Sequence, residues 1–427
     1  MTAVGDVVPP TGDATRASDA PRPCDLAAEV ISDRAEGEAY VASVCFKHGP
    51  PRRVGVELEY TVHYREDPWR HLDPDDLAAA LGPHTPRSLR PDSPALRLPS
   101  GSPLTLEPGG QVEISTLPQD GLRELVAAAT ADLHYVTELL SHRGLILGCG
   151  GTDIFRDPVR ILPTDRYSAM ERRFNRMGPD GLTMMCATAG LQVCLDTGER
   201  DQLPARWAAL HAVGPVLVAL FATSSRLAGV DTGLASARWR AVMRTEPART
   251  APTAAAPDPV AAWAARVMDT PLLVVRNARG SWDAPPKLSF GEWIEGSGDG
   301  ATLRRPTFGD LDYHLTTFFT PVRPRGYLEV RYLDAQAGDD WISPVALLLG
   351  LLSDERTAGD AFGICAPIAT EWHTAVHRGL ADDRLAHAAA ALVKLGCSAL
   401  PALDLDEATT ARVAESLHRR IHRKEVA

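Results

Sequence analysis

Apolar and polar residues alternate in three segments of the chain, and this alternation predicts β-strands with two different faces. The segments are residues 54–64, 104–117 and 327–332. In the first of them, Glu57 and Glu59 alternate with apolar residues. Because successive strand residues point to opposite faces, these two carboxylates lie on the same face of one strand.

Helical periodicity predicts helices over residues 24–48, 124–142 and 310–319, in a long segment that ends at Phe221, and in nearly everything from residue 341 onward. Short strands are expected at 144–149 and 192–195. Residues 244–259 are rich in Pro, Ala and Thr and predict a loop, and residues 1–23 predict a disordered lead-in. Strands interspersed with helices indicate the α+β class, with an antiparallel sheet whose one face carries acids.

The charge balance narrows the classes of partner. The 427 residues include 44 Lys and Arg against 55 Asp and Glu, a formal net charge of −11. General nucleic-acid binding requires a basic surface, so we expect no nucleic-acid partner. Local binding of an anion remains compatible with this composition.

Apolar stretches and cysteines predict a cytoplasmic protein. The most apolar stretches, 208–222 and 341–352, are interrupted by His211, Pro215 and Pro344, so we expect buried helices and no membrane partner. The amino terminus has no signal-peptide pattern. The seven cysteines are scattered, without a Cys-x-x-Cys pair, and are expected to be reduced core residues.

Acids within otherwise apolar strands are the most informative feature of the chain. Gln111 and Glu113 share a strand face, as Glu57 and Glu59 do, and Glu329 lies in a third segment of this kind. Carboxylates that share a buried face repel each other unless a cation neutralises them. Oxygen ligands from several strands suit Mg²⁺ or Mn²⁺. The alternative is a sheet with one wet face, but three acid-bearing strands favour a divalent-metal site.

Arginines supply a second set of candidates, because a planar guanidinium can bind carboxylate or phosphate. Seven lie near Gly/Pro turns or strand edges: Arg166, Arg172, Arg173, Arg238, Arg249, Arg325 and Arg331. Each of them taken alone is better explained as a solvated surface residue, because arginine is common on surfaces. The chain has neither a P-loop nor a dinucleotide-binding glycine motif, and the glycine-rich residues 148–152 are interpreted as a turn.

Four segments in order resemble the glutamate–cysteine ligase family, in its plant-type and actinobacterial branch. They are VGVELEY at 54–60, EPGGQVEIS at 107–115, PTDRYSAMERRFNRMGPDGLTMMCATAGLQVCLD at 163–196 and HLTTFFTPVRPRGYLEVR at 314–331. The resemblance covers residue 54 to about residue 341. It implies a glutamine-synthetase-like antiparallel sheet that forms a funnel-shaped active site, flanked by helices. It also implies a single catalytic domain over 24–427, of which 340–427 is mostly helical.

The resemblance implies a role for each candidate residue. The magnesium ligands implied are Glu57, Glu59, Gln111, Glu113, Gln192 and Glu329, whereas Glu107 is expected to position the glycine turn. The substrate-binding residues implied are Arg166, Tyr167, Gln192 and Arg238. Arg331 is implied to contact the transferred phosphoryl group, and Arg249 and Arg325 the nucleotide. His314, Thr316 and Thr317 lie in a recognisable motif and are assigned equally to packing or catalysis.

The function implied is ATP-dependent ligation of the γ-carboxylate of L-glutamate to the amine of L-cysteine through a γ-glutamyl phosphate, for ergothioneine biosynthesis. Mg²⁺, with Mn²⁺ as an alternative, is the expected cofactor, and ATP is a co-substrate. Two alternatives stay open: a related ligase with another amine acceptor, and a non-catalytic relative that binds an amino acid or nucleotide. Monomer and homodimer are both compatible with the sequence.

Overall fold

The structure is a computed structural model that describes residues 23–253 and 256–422. The predicted disordered lead-in lies outside the described residues, apart from Pro23. Cα packing divides the chain into two compact units: Met1–Ser43 with Val260–Phe318, and Val44–Pro259 with Phe319–Ala427. We call these unit 1 and unit 2. The single catalytic domain over 24–427 stays a prediction.

A six-stranded antiparallel sheet forms the centre of unit 2, with the strand order β3-β4-β1-β6-β10-β9. The strands of the described chain are β1 (Val54–Tyr60), β2 (Val62–Tyr64), β3 (Leu104–Leu106), β4 (Val112–Ser115), β5 (Leu145–Leu147), β6 (Gly190–Leu195), β7 (Arg226–Leu227), β8 (Val230–Asp231), β9 (Val322–Pro324) and β10 (Leu328–Asp334). β2 pairs with β5 and β7 with β8 in two small sheets. The predicted α+β class with an antiparallel sheet is confirmed.

Helices account for most of the remaining described residues. The first thirteen are α1 (Pro23–Ala28), α2 (Arg34–Cys45), α3 (Pro74–Leu81), α4 (Leu122–Ser141), α5 (Asp165–Asn175), α6 (Asp180–Cys186), α7 (Leu203–Ala212), α8 (Gly214–Leu220), α9 (Ala237–Thr245), α10 (Pro247–Thr250), α11 (Pro259–Asp269), α12 (Phe290–Glu295) and α13 (Phe308–Leu315). The carboxyl-terminal part adds α14 (Ile342–Leu351), α15 (Glu355–Cys365), α16 (Trp372–Arg378), α17 (Asp383–Ala399) and α18 (Glu407–His422). This last part is mostly helical, as the sequence predicts.

Both faces of the central strands are buried. The apolar residues of β1, among them Val56 and Leu58, lie in the core, and α4 packs against β1 and β4 while α8 packs against β10. The opposite face carries the acids, and there Glu57, Glu113 and Glu329 are all below 5% exposed. The alternative of a wet sheet face is therefore wrong, since these carboxylates are shielded from water.

Several predicted boundaries are wrong for identifiable reasons. Residues 24–48 form two helices, and residues 104–117 form two strands joined by a tight turn in which Gly110 has a φ of 87°. The predicted loop 244–259 contains α10, because Pro247 has the backbone angle that a first helical position needs. The predicted long helix before Phe221 is divided into α7 and α8, with Pro215 near the start of α8.

One helical segment of the described chain, Asp383–Ala402, is long and apolar enough to cross a membrane, with a mean hydropathy of 1.4. α7 and α8 would meet the same criterion if they formed one span with a 41° bend. The two stretches that the sequence singled out as most apolar, 208–222 and 341–352, do not include Asp383–Ala402. The apolar side of α17 packs closely on α14, since a Cβ added at Gly396 would lie 2.3 Å from a side-chain carbon of Leu347.

Candidate active site

Strand register brings the predicted acids together on the buried polar face of the sheet. Glu57 of β1 lies opposite Gln192 of β6, and Glu59 of β1 lies opposite Glu113 of β4. Glu329 of β10 follows on the strand beyond β6. Four neighbouring strands thus present oxygen-bearing side chains to one buried surface.

Three of these carboxylates form a compact cluster. One oxygen each of Glu59, Glu107 and Glu113 lies within 4.8 Å of the other two, and all three residues are buried. Glu113 also accepts hydrogen bonds from Thr105 Oγ1 at 2.6 Å and from Ser115 Oγ at 3.2 Å. The sequence assigned Glu107 to the glycine turn alone, but the hairpin between β3 and β4 brings its carboxylate beside Glu113. The register of this hairpin, in which Thr105 lies opposite Glu113, brings Glu107 close to Glu113, and the sequence pattern did not predict that register.

The pKa values of Glu57 and Glu107 indicate that the negative charge of this group of carboxylates would be stabilised by a cation. Burial, together with repulsion from Glu113 and Glu329, raises the pKa of Glu57 to about 8. Burial raises the pKa of Glu107 to about 7. Within the described part of the chain, Oε2 of Glu57 is buried without a hydrogen-bond partner. Buried carboxylates of this kind are the donor set that Mg²⁺ or Mn²⁺ prefers, so these residues fit a divalent metal.

Glu329 is bound by two arginines. Arg323 donates from Nε at 2.6 Å and from NH2 at 2.9 Å, and NH1 of Arg331 donates at 2.7 Å. Although burial acts to raise it, these two guanidinium groups hold the pKa of Glu329 well below its usual range. Sequence reasoning missed Arg323. The register that places it directly opposite Glu329 cannot be read from a single strand pattern.

The two glutamines have different surroundings. Gln192 donates from Nε2 to Glu59 at 2.5 Å and accepts from NH1 of Arg331, so it connects the cluster of acids to the arginines. The Nε2 of Gln111 donates to the carbonyl oxygens of Met185 and Thr188, and its Oε1 accepts from Gly109 N. These contacts assign Gln111 to the support of the turn and lend no support to its expected role as a metal ligand.

Arg238 lies beside Gly190, the first residue of β6. It is 5% exposed, and its NH2 donates to the carbonyl oxygen of Arg331 at 3.0 Å. Gly190 allows this approach, because a Cβ added there would lie 2.1 Å from NH2 of Arg238. Among the described residues, Nε and NH1 of Arg238 have no hydrogen-bond partner. A buried guanidinium with two unused donors is suited to bind an anionic group.

The predicted substrate and nucleotide residues outside the sheet lie in other settings. Arg249 is fully buried and pairs with Glu246 at 2.7 Å, and Arg173 pairs with the same carboxylate at 2.7 Å. Burial lowers the pKa of Arg249 to about 10, and the positive charge of Arg166 also lowers it. Tyr167 is buried in the first turn of α5.

Arg325 is half-buried in the turn that joins β9 to β10, where its N–H donates to the carbonyl oxygen of Tyr327 at 2.8 Å. Its positive charge contributes to the low pKa of Glu329. His314 belongs to unit 1, where its Nε2 lies 3.1 Å from the carbonyl oxygen of Val267 and its ring contacts Phe290. These contacts favour packing over catalysis for His314.

Comparison with known proteins supports this interpretation. The family model described as "Glutamate-cysteine ligase family 2 (GCS2)" matches residues 53–424 of this chain. The glutamate–cysteine ligase EgtA of Mycolicibacterium smegmatis is 38% identical over 384 residues, which cover 88% of this chain and 86% of that protein. The corresponding protein of Mycobacterium tuberculosis is 36% identical over 382 residues, which cover 87% of this chain and 84% of that protein.

More distant proteins carry related names. The chloroplastic glutamate–cysteine ligase of Brassica juncea is 28% identical over 328 residues, covering 74% of this chain and 63% of that protein. A solved structure of glutamate–cysteine ligase from Francisella tularensis in complex with AMP has a TM-score of 0.43 and 14% identity, covering 88% and 83% of the two chains, and this likeness carries no conclusion. The match over residues 53–424 and the identity to the two mycobacterial proteins are decisive: the chain belongs to glutamate–cysteine ligase family 2.

Proposed function

We propose that this protein is an ATP-dependent glutamate–cysteine ligase, which joins the γ-carboxyl group of L-glutamate to the amine of L-cysteine. The products are γ-glutamylcysteine, ADP and phosphate. The observation that supports this most directly is the buried surface on which Glu59, Glu107 and Glu113 lie beside Gln192 and Arg331. Such a surface has hydrogen-bond donors for the phosphates of a nucleoside triphosphate and oxygen ligands for the metal bound to it.

Glu59, Glu107 and Glu113, with Glu57 next to them, are the residues that would hold Mg²⁺. When bound, this ion neutralises phosphate charge and makes the γ-phosphorus more electrophilic. The proposal is supported by the proximity of the three carboxylates and by the raised pKa values of Glu57 and Glu107. Gln111 is not included in this set.

In the first step, the γ-carboxylate of glutamate attacks the γ-phosphorus of ATP, and ADP leaves. This step turns a carboxylate oxygen, which is a poor leaving group, into phosphate. Arg331 points its NH1 group between Gln192 and Glu329, where it would stabilise the negative charge on the phosphoryl group during transfer. Arg238 would bind the glutamate through its unused donors.

In the second step, the amine of cysteine attacks the acyl carbon of γ-glutamyl phosphate and releases phosphate. No protein nucleophile is needed, because the substrate carboxylate itself becomes activated. The contribution of the chain is therefore positioning and charge stabilisation. The product γ-glutamylcysteine is assigned to ergothioneine biosynthesis, in line with the relatives named EgtA.

The decisive experiment measures ADP release with Mg²⁺, glutamate and cysteine present, and then with each one omitted. We expect turnover only with the complete mixture and γ-glutamylcysteine as the product by mass spectrometry. Turnover that continues without glutamate would refute the assignment.

The same assay separates the two alternatives. A higher rate with ammonia or another amino acid than with cysteine would favour a ligase with a different amine acceptor. Nucleotide binding without ADP release under every amine condition would favour a non-catalytic relative. The retention of a compact cluster of three buried carboxylates argues against this second alternative, since a sensor has no need of it.

A further inference from the structure

Asp334, at the end of β10, is a buried carboxylate to which the mechanism above assigns no role. It is 2% exposed and accepts hydrogen bonds from Thr223 N at 3.0 Å, from Ser224 Oγ at 2.6 Å and from Ser236 Oγ at 3.1 Å. Its Oδ1 lies 3.8 Å from NH1 of Arg238. Such an arrangement joins the end of a sheet strand to two separate segments of the chain.

The serines bonded to Asp334 also hold the start of α9, where Arg238 is the second residue. Ser236 is the N-cap of this helix, and its Oγ accepts from Trp239 N at 3.2 Å. Ser224 Oγ accepts from the backbone N–H of Arg238 at 3.2 Å. Asp334 therefore fixes the hydroxyl groups that fix the backbone of Arg238.

The guanidinium of Arg238 is held from the other sides as well. The carbonyl oxygen of Arg331 accepts from NH2, and Gly190 leaves room for that nitrogen only because it has no Cβ. Asp334 adds a negative charge near NH1. The side chain is thus confined to one orientation, in which Nε and NH1 retain donor capacity.

We propose that Asp334 is a positioning residue that holds Arg238 in the orientation needed to bind the glutamate substrate. This inference rests on the proposed function, because it concerns how the arginine that is proposed to bind glutamate is held in place. Gly151 packs closely on the carboxyl group of Asp334, since a Cβ added at Gly151 would lie 2.6 Å from Cγ of Asp334.

The test compares Asp334→Asn with the wild-type protein. The amide keeps the shape of the side chain but replaces one acceptor oxygen by a donor that faces N–H and O–H groups, and it removes the charge near Arg238. We expect the KM for glutamate to rise about 10-fold or more, as supporting residues of binding groups commonly show. The KM values for ATP and cysteine should stay within about two-fold of wild type.

The matched control is Asp382→Asn. Asp382 is 6% exposed and caps α17 by accepting from the N–H groups of Arg384 and Leu385. This variant loses a buried capping carboxylate in unit 2 but should leave all three KM values unchanged. Equal increases of the three KM values in Asp334→Asn, or an unchanged KM for glutamate, would overturn the proposal.

A binding measurement separates this inference from the proposed function. Calorimetry with Mg²⁺, ADP and glutamate should give a dissociation constant for glutamate that is about 10-fold higher in Asp334→Asn. If wild-type protein binds glutamate but does not release ADP, the proposed function fails and the calorimetric comparison still decides the role of Asp334. If wild type turns over normally and Asp334→Asn binds glutamate equally well, only the present inference fails.

A second variant addresses the case in which Asp334→Asn does not fold. Ser224→Ala retains the carboxylate and removes its shortest hydrogen bond, together with the acceptor for Arg238 N. We expect a smaller rise in the KM for glutamate, in the same direction. An unchanged KM for glutamate in a folded Ser224→Ala protein would contradict the proposal.

Discussion

At the scale of single residues, the neighbouring groups determine how well the charge of each buried acid is tolerated. Glu59, Glu107 and Glu113 repel one another across less than 4.8 Å, whereas Glu329 is neutralised by Arg323 and Arg331. The first group brings three carboxylates together, whereas the second pairs one carboxylate with two guanidinium groups. This difference separates a candidate metal site from an internal ion-pair network, and it gives the two groups different responses to mutation.

The first prediction concerns Glu113→Gln, which removes one negative charge from the cluster of three carboxylates. Without divalent ions, in EDTA, the variant should unfold at a temperature equal to or higher than that of wild type, since repulsion is relieved. With Mg²⁺, wild type should gain stability by ligand binding and the variant should gain less. ADP release should fall about 100-fold or more.

Thermal unfolding with and without Mg²⁺ checks this prediction. Glu138→Gln is the control, because Glu138 is an exposed residue of α4 and should behave like wild type under both conditions. The metal-site model is contradicted if Glu113→Gln gains as much stability from Mg²⁺ as wild type does.

The second prediction concerns Arg323→Lys. A lysine can replace the charge but not the two parallel hydrogen bonds that Arg323 makes with Glu329, so Glu329 and its contact with Arg331 become less well ordered. We expect kcat/KM for ATP to fall about 10- to 100-fold. Steady-state kinetics at varied ATP concentration measures this effect.

Arg156→Lys provides a control of the same chemistry. Arg156 is buried and donates two hydrogen bonds to Oδ2 of Asp153, at 2.9 and 2.7 Å, and it belongs to a different network. It should lose stability to a similar extent while kcat/KM for ATP stays near that of wild type. A similar loss of activity in both variants would mean that Arg323 acts on stability alone.

At the scale of secondary-structure elements, the end of a helix is often fixed by one polar residue. α13 begins with a capping box in which Thr307 and Asp310 exchange hydrogen bonds. Asp310 also binds Arg304 at 2.5 and 2.8 Å and Arg276 at 3.2 Å. Although burial acts in the opposite direction, the hydrogen bonds from Arg304 hold the pKa of Asp310 below its usual value.

The third prediction is a pH-dependent effect of Asp310→Asn. A carboxyl group whose pKa is lower in the folded than in the unfolded protein contributes stability above its unfolded pKa of about 4, and loses it as the pH falls through the folded value. At pH 7, Asp310→Asn should lower the free energy of unfolding by about 1–3 kcal/mol. The difference from wild type should shrink as the pH decreases from about 5 to 3.

Unfolding followed by circular dichroism at several pH values checks this sign. Asp354→Asn is the comparison, since Asp354 caps α15 by accepting from Thr357 N and lies at the surface. Its effect at pH 7 should be smaller than that of Asp310→Asn. A difference between Asp310→Asn and wild type that grows as the pH falls would contradict the prediction.

For the secondary-structure elements, the sequence predicts the face of a strand on which a residue lies, but it does not predict contacts that depend on how strands pair. Alternation was enough to place Glu57 and Glu59 on one face of β1. It was not enough to show that Glu107 joins them or that Arg323 lies opposite Glu329, because both facts depend on the register of neighbouring strands. The composition of 244–259 predicted a loop, but a proline at the first helical position and the buried Arg249–Glu246 pair accompany a short helix there.

At the scale of the whole molecule, the net charge of −11 is a poor guide to ligands. Part of the acid excess lies on the buried face of the sheet, as Glu57 and Glu113 do, and does not contribute to the surface. Basic residues of α18 differ in exposure: Arg419 is exposed, whereas Arg420 is 11% exposed and donates to Gln336 Oε1 at 2.6 Å.

The fourth prediction uses the division of the chain into two units. The candidate residues on β1, β4, β6 and β10, together with Arg238, all belong to unit 2. Binding of Mg²⁺, ADP and glutamate should therefore slow backbone hydrogen exchange mainly in those strands and in α9, because a ligand that binds only the folded site suppresses local opening there. Peptides from 23–43 and 260–318 in unit 1 should change much less.

Hydrogen exchange followed by mass spectrometry, with and without the ligand mixture, tests this expectation, and the mixture without Mg²⁺ is the control. Because the metal is proposed to sit among Glu59, Glu107 and Glu113, omitting it should abolish most of the protection in β1 and β4. Protection of 260–318 as strong as that of β1 and β4 would contradict the assignment of the binding residues to unit 2.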